Sequence, residues 1–128
     1  MAKSVAAPKA RWFHFSQNNS GGKFEYDPKR GITHHMVIEA PNYQEANMRA
    51  QNIGLYFDGC DSGMDCECCG DRWYRLHETT KGDEKPSVYG KPVTARGSKK
   101  EIVKWIKKGD WNIFVHPLEG EFKGYARS

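Results

Sequence analysis

Cys60, Cys66, Cys68 and Cys69 place all four cysteines of the 128-residue chain within ten residues. The step from Cys66 to Cys69, followed by Gly70, has the C-x-x-C-G spacing at which a tight turn aims two thiolates at one tetrahedral ion. Cys60 lies near enough to return as a third ligand. The fourth is Cys68 or, because adjacent cysteines on one ion constrain the backbone, His77 in its place. A structural zinc ion is the expected cofactor. Redox or iron-sulfur chemistry, and unliganded thiols, are the alternatives. A redox C-x-x-C works through a lowered thiol pKa, and Asp65, Glu67 and Asp71 around this one oppose that lowering. A closed four-ligand site leaves no open position for water activation, so the expectation leans away from an enzyme.

A second set of residues has the geometry for phosphate contact. In a helix over Lys99 to Lys108, Lys100, Lys104, Lys107 and Lys108 share one face, Ile102, Val103 and Ile106 share the other, and Trp105 lies between them. An ordinary solvated lysine face is the plainer explanation, and no base-reading motif accompanies it. The histidines signal less. His34 and His35 are neighbours on an expected strand and must point to opposite faces. His14 and His116, also on expected strands, have the same structural reading. No nucleophile elbow, phosphate loop or H-E-x-x-H motif is present.

These residues have to be positioned by a small number of elements. Trp12 to Phe15 and Phe24 to Tyr26 flank Gln17-Asn18-Asn19-Ser20-Gly21-Gly22, which reads as a β-hairpin. Asp27-Pro28-Lys29-Arg30-Gly31 is a turn, and Ile32 to Glu39 reads as a third strand. A helix is expected over Tyr43 to Ile53, with Asn42 as cap, Glu45 completing a capping box and Gly54 as stop; Tyr43, Ala46, Ala50 and Ile53 form its inner face. The cysteine loop follows, and Trp73 to His77 reads as a strand leaving it. Glu78 to Gly97 reads as a flexible connection with a short strand at Ser87-Val88-Tyr89. The lysine helix is marked by Ser98, Glu101 and Gly109, and Trp111 to His116 with Phe122 to Tyr125 reads as a closing hairpin. The expected architecture is α+β: a mainly antiparallel sheet, two helices and a Cys-rich zinc-knuckle loop, with residues 1–10 as a flexible start and 11–128 as one zinc-stabilised domain.

Charge divides along the chain. Residues 1–79 carry 9 Lys and Arg against 10 Asp and Glu, whereas residues 80–128 carry 11 against 6. Asp58, Asp61, Asp65, Glu67 and Asp71 have no basic residue among them, which predicts an acidic pole, deepened by about two negative charges if four thiolates bind one zinc ion. Residues 1–10 lack the apolar run of a secretory signal and no stretch resembles a membrane span, so a cytoplasmic setting is expected. In that reducing compartment, clustered cysteines argue for metal over disulfides.

Residues 12–22 with Phe24, Gly31-Ile32-Thr33-His34, Glu45-Ala46-Asn47, Gly54 to Cys60 and Cys66-Glu67-Cys68-Cys69-Gly70-Asp71-Arg72-Trp73-Tyr74 together resemble a family of small bacteriophage-encoded proteins. The resemblance spans Trp12 to Tyr74. It implies a phage source and the host cytoplasm, and it transfers no catalytic residues. By analogy with small phage proteins that work by binding, the expected function is a non-enzymatic, zinc-stabilised accessory protein acting on a host protein, of the host-takeover or anti-defence type. The alternatives are nucleic-acid binding through the lysine helix with Trp105 and Trp111, and a small enzyme acting on a nucleotide or nucleic acid through His34 or His35.

Overall fold

A computed structural model of the chain describes residues 10–18, 25–27, 29–65, 70–89, 91–93, 95–97 and 112–126. The architecture is α+β, built on a five-stranded mixed sheet. In chain order the elements are β1 (Arg11–Ser16), β2 (His35–Ala40), α1 (Tyr43–Ile53), α2 (Gly59–Ser62), β3 (Ser87–Val88), β4 (Lys91–Pro92), β5 (Ala95–Gly97), β6 (Asn112–His116) and β7 (Lys123–Ala126). The sheet order is β1-β2-β6-β7-β5, and β3 and β4 form a separate two-stranded ribbon. Among the described strands only β2 and β6 of the sheet pair in parallel.

The strand after Asn18 is where the structure corrects the sequence reading. Among the described residues β1 does not pair with Glu25 or Tyr26; it pairs antiparallel with β2, from Arg11 opposite Ala40 to Ser16 opposite His35. The reason lies in β2, where Met36, Val37 and Ile38 are all fully buried. A strand apolar on both faces is central and needs a neighbour on each side, here β1 and β6. The expected turn at 27–31 is present: the Asp27 carboxylate accepts from the backbone N–H of Lys29 and Arg30, and Asp27 bridges Ile32. Gly31 sits at φ +75°, where an added Cβ would meet the His116 ring at 2.7 Å.

Alternation along the strands sends side chains to two cores. Phe13, Phe15, Met36, Ile38 and Phe114 face α1, where Ala46, Ala50, Leu55, Phe57 and Trp73 complete one cluster. Val37, Ile113 and Val115 face the opposite way and are covered by Val88. The helix forms where its caps predict. The Asn42 side chain accepts from the Glu45 N–H at 2.9 Å, and Gly54, at φ 130°, donates to Ala50 and Gln51.

Two further expectations change. Trp73 to His77 is not a strand: the Asn47 side chain on α1 pairs with both the N–H and the C=O of Leu76, at 2.8 and 3.0 Å. A side-chain amide thus replaces a neighbouring strand. The connection after Glu78 carries three short strands where one was expected; Ser87–Val88 is the expected one, while β4 and β5 are additional. The closing hairpin is present as β6 and β7. The second described helix is the single turn α2; the helix expected over 99–108, with Lys100, Lys104, Trp105, Lys107 and Lys108, lies outside the described residues, as do residues 1–9. Among the described residues no helix is long and apolar enough to cross a membrane.

Candidate functional site

Cys60 opens α2, a one-turn helix that Asp58 enters with φ 57° and Gly63 leaves with φ 83°. Cys66, Cys68 and Cys69 lie outside the described residues; the chain is described up to Asp65 and again from Gly70. These two ends are drawn together. Asp65 accepts the Arg72 N–H on its Oδ2 at 2.8 Å and donates its own N–H to the Gly59 carbonyl at 2.9 Å. The Cys60 N–H donates to Asp71 Oδ1 at 2.9 Å. Cys60 therefore sits where the chain leaves Asp65 and returns at Gly70. The approach requires a glycine at 59, because a Cβ there would lie 1.7 Å from Asp65 Oδ2.

A buried polar network holds this base in place. The Tyr56 hydroxyl donates to Asp65 Oδ1 at 2.7 Å and accepts from Arg72 Nε at 3.0 Å, so it links two groups whose direct separation is 3.8 Å. The Asp65 side chain is 0% exposed and that of Arg72 13%. Gln17 is the far anchor: its Oε1 accepts from Arg72 at 2.9 Å, and its Nε2 donates to the carbonyls of Glu25 and Thr33. The Asn18 N–H donates to the Arg72 carbonyl, and its side chain donates to that of Asp71. Burial raises the Tyr56 pKa, reinforced by its bond to Asp65 and opposed by Arg72, so this hydroxyl stays protonated and able to donate. Such a network is stabilising because every member is satisfied.

Two carboxylates of the expected acidic pole have basic partners. Asp58 is paired with Arg75 at 2.7 Å, Asp65 with Arg72, and Asp71 is committed to Cys60. The basic companions come from immediately beyond the loop, and Arg75 also stacks over the Phe57 ring at 5.1 Å.

His77, the substitute ligand of the sequence reading, lines a surface groove beside α1 with Tyr43, Met48 and Leu76; Cys60, the one described cysteine, is not among the residues lining it. Among the described residues, no group of three or more His, Cys, Asp or Glu side chains is arranged to hold a metal ion.

Sequence reasoning missed the pairing of His14 with His35. Once β1 is placed beside β2, Ser16 lies opposite His35 and His14 opposite Val37, so the two imidazoles become diagonal neighbours. His14 Nε2 and His35 Nδ1 are 2.8 Å apart, and the Tyr89 ring stands edge-on to both. Tyr89 itself, at φ 52°, meets Ser16 with its hydroxyl at 3.0 Å. The alternative of an enzyme working through His34 or His35 calls for a buried histidine beside a carboxylate. His35 is fully buried and meets His14 and Tyr89. Burial lowers the pKa of His34.

His116 has a structural role with a pH signature. It is 6% exposed and its Nε2–H donates to the Gly31 carbonyl at 2.8 Å. Burial lowers its pKa to about 4, with nearby Arg49 adding to the effect and the Gly31 bond opposing it. The unfolded chain therefore binds this proton first. The contribution is complete above pH 6.5 and is lost as pH falls from 6.5 to 4, reaching about 3 kcal/mol at the lower end. Urea midpoints of wild type and His116→Gln will diverge above pH 6.5 and converge toward pH 4; a constant difference would contradict the assignment.

No curated protein and no solved structure matches the chain. A family match covers residues 10–128, which takes in the cysteine segment, its buried anchor and every strand described above. The chain belongs to the family described as a domain of unknown function, DUF7296.

Proposed function

We propose that this protein is a binding module of the phage accessory type, non-enzymatic, in which a zinc-thiolate centre at Cys60, Cys66, Cys68 and Cys69 rigidifies segment 58–79 for docking on a host protein. The observation that carries this reading is the joining of Asp65 to Arg72 with Cys60 at the junction. Covalent reach keeps each residue of 66–69 within two residue lengths, about 7 Å, of Asp65 or Gly70. The donor set fits zinc: thiolates are its preferred structural ligands, and a metal can order a loop that has little apolar content of its own. His77 points the choice of fourth ligand toward Cys68, because it lines the groove on the α1 side.

The surface around the centre suits protein contact better than nucleic acid. Segment 58–79 carries six Asp and Glu against two Arg, a balance that repels phosphate, and Met64 and Tyr74 are 65% and 56% exposed, with the Tyr74 hydroxyl 2.9 Å from where a Gly70 side chain would begin. Methionine and tyrosine are enriched at protein interfaces.

Immobilised zinc-loaded protein, challenged with bacterial cytoplasmic lysate, should retain a protein that a Met64→Ser/Tyr74→Ala double variant does not. Salt-sensitive retention of nucleic acid, lost in Lys100→Glu/Lys104→Glu, would favour the lysine helix as the working surface. Equal retention by wild type and the double variant would overturn the loop as the docking surface.

A further inference from the structure

The groove beside α1 encloses about 620 Å³ between one face of the helix and residues 75–79. Its distinctive feature is a stripe of carboxamides. Gln44, Asn47 and Gln51 are three and four residues apart and so share one face of α1, and all three line the groove. Asn47 shows what such a group does at this position: it pairs with both the N–H and the C=O of Leu76 in the extended segment alongside. Gln44 and Gln51, one turn to either side, are exposed, and their side-chain carboxamides have no hydrogen-bond partner among the described residues. Each carboxamide offers a donor and an acceptor, the pair that a peptide backbone requires.

Charge narrows the occupant. Of the groove's two fully charged residues, Arg75 is engaged by Asp58 at 2.7 Å, whereas Glu78 is exposed and has no ion pair among the described residues. The groove thus presents one unneutralised carboxylate beside two unused carboxamides. The seven helical steps from Gln44 to Gln51 advance about 10 Å along the helix, the length of about three residues of extended chain.

We infer that this groove binds an extended peptide segment of the partner protein, held through its backbone by Gln44 and Gln51 and through a lysine or arginine by Glu78. The inference rests on the binding-module reading and names its partner's chemistry. It also gives segment 58–79 a purpose, since Arg75 ties the groove wall to Asp58 at the start of the Cys60 helix.

The test is an NMR titration of the zinc-loaded chain with a pool of capped nonapeptides carrying a central lysine and randomised elsewhere, against a pool with a central glutamate. The lysine pool should shift the side-chain amide signals of Gln44 and Gln51 and the backbone signals of residues 76–79. Gln44→Ala/Gln51→Ala should weaken binding about tenfold or more, and Glu78→Gln by a few-fold with loss of its salt dependence. All three positions are exposed, so these variants should fold normally. Unmoved carboxamides, or equal responses to both pools, would overturn the inference. If a lysate protein is then still held through Met64 and Tyr74, the groove assignment fails alone; if nothing is held, the binding-module reading fails with it.

Discussion

Asp65→Ala will destabilise the protein by about 3–5 kcal/mol, measured as the shift in urea-unfolding free energy at pH 7. The carboxylate has no access to solvent, yet it accepts from the Tyr56 hydroxyl and the Arg72 N–H and lies beside the Arg72 guanidinium. Its removal leaves a largely buried cation whose other described carboxylate neighbour, Glu25, is 4.0 Å away and partly exposed. Breaking one side of a buried pair is expensive for this reason, even where the intact pair contributes little net stability. Asp65→Asn keeps an acceptor for the Arg72 N–H but removes the charge, so it should fall between wild type and alanine. A loss below about 1 kcal/mol for Asp65→Ala would mean that the network does not hold the loop base.

Trp73→Ala should cost a similar amount, about 3–5 kcal/mol, through cavity formation. Trp73 is 1% exposed and belongs to the core cluster with Phe13, Phe15, Phe57 and Phe114. Its neighbour Tyr74 is 56% exposed, and Tyr74→Ala should change stability by about 0.5 kcal/mol or less. The contrast between adjacent aromatics is the informative part. It locates the chain's return from the cysteine segment on the core at position 73 and on the surface at position 74. Comparable losses for the two variants would contradict this placement.

The elements legible in the sequence are those whose determinants are local. Asn42, Glu45 and Gly54 mark α1 within thirteen residues, and Asn42 caps the Glu45 N–H and Gly54 closes the helix as the pattern implies. The β6–β7 hairpin is likewise a short-range pairing around Pro117 to Gly120. Strand partnership is a different problem. Nothing near β1 indicates that β2 is its neighbour, and the clue, the doubly apolar Met36-Val37-Ile38, specifies a central strand without saying what flanks it. The misassigned hairpin then concealed the His14–His35 contact, which exists only in the β1–β2 register.

The site was legible as a cysteine cluster and illegible as a support structure. Gln17 and Arg72 are 55 positions apart, and their bond depends on the end of β1 lying beside the end of the loop. The partners of Asp58 and Asp65 were not legible because Arg72 and Arg75 fall just past Asp71; counting charges inside a segment ignores how its flanks fold back. Similarly, the aromatic-rich segment Trp73 to His77 read as a strand because the sequence carries no sign that Asn47 would satisfy the backbone of Leu76.

The central claim is that segment 58–79 is built around a zinc ion, and native mass spectrometry of the purified chain, paired with thiol titration before and after chelation, tests it most directly. The account predicts one zinc per chain, thiols protected until the chelator is added, and partial or global unfolding once the metal is removed or Cys66 or Cys69 is replaced by serine. A metal-free chain with freely titrating or oxidised thiols, and a melting temperature unchanged in Cys66→Ser and Cys69→Ser, would contradict it.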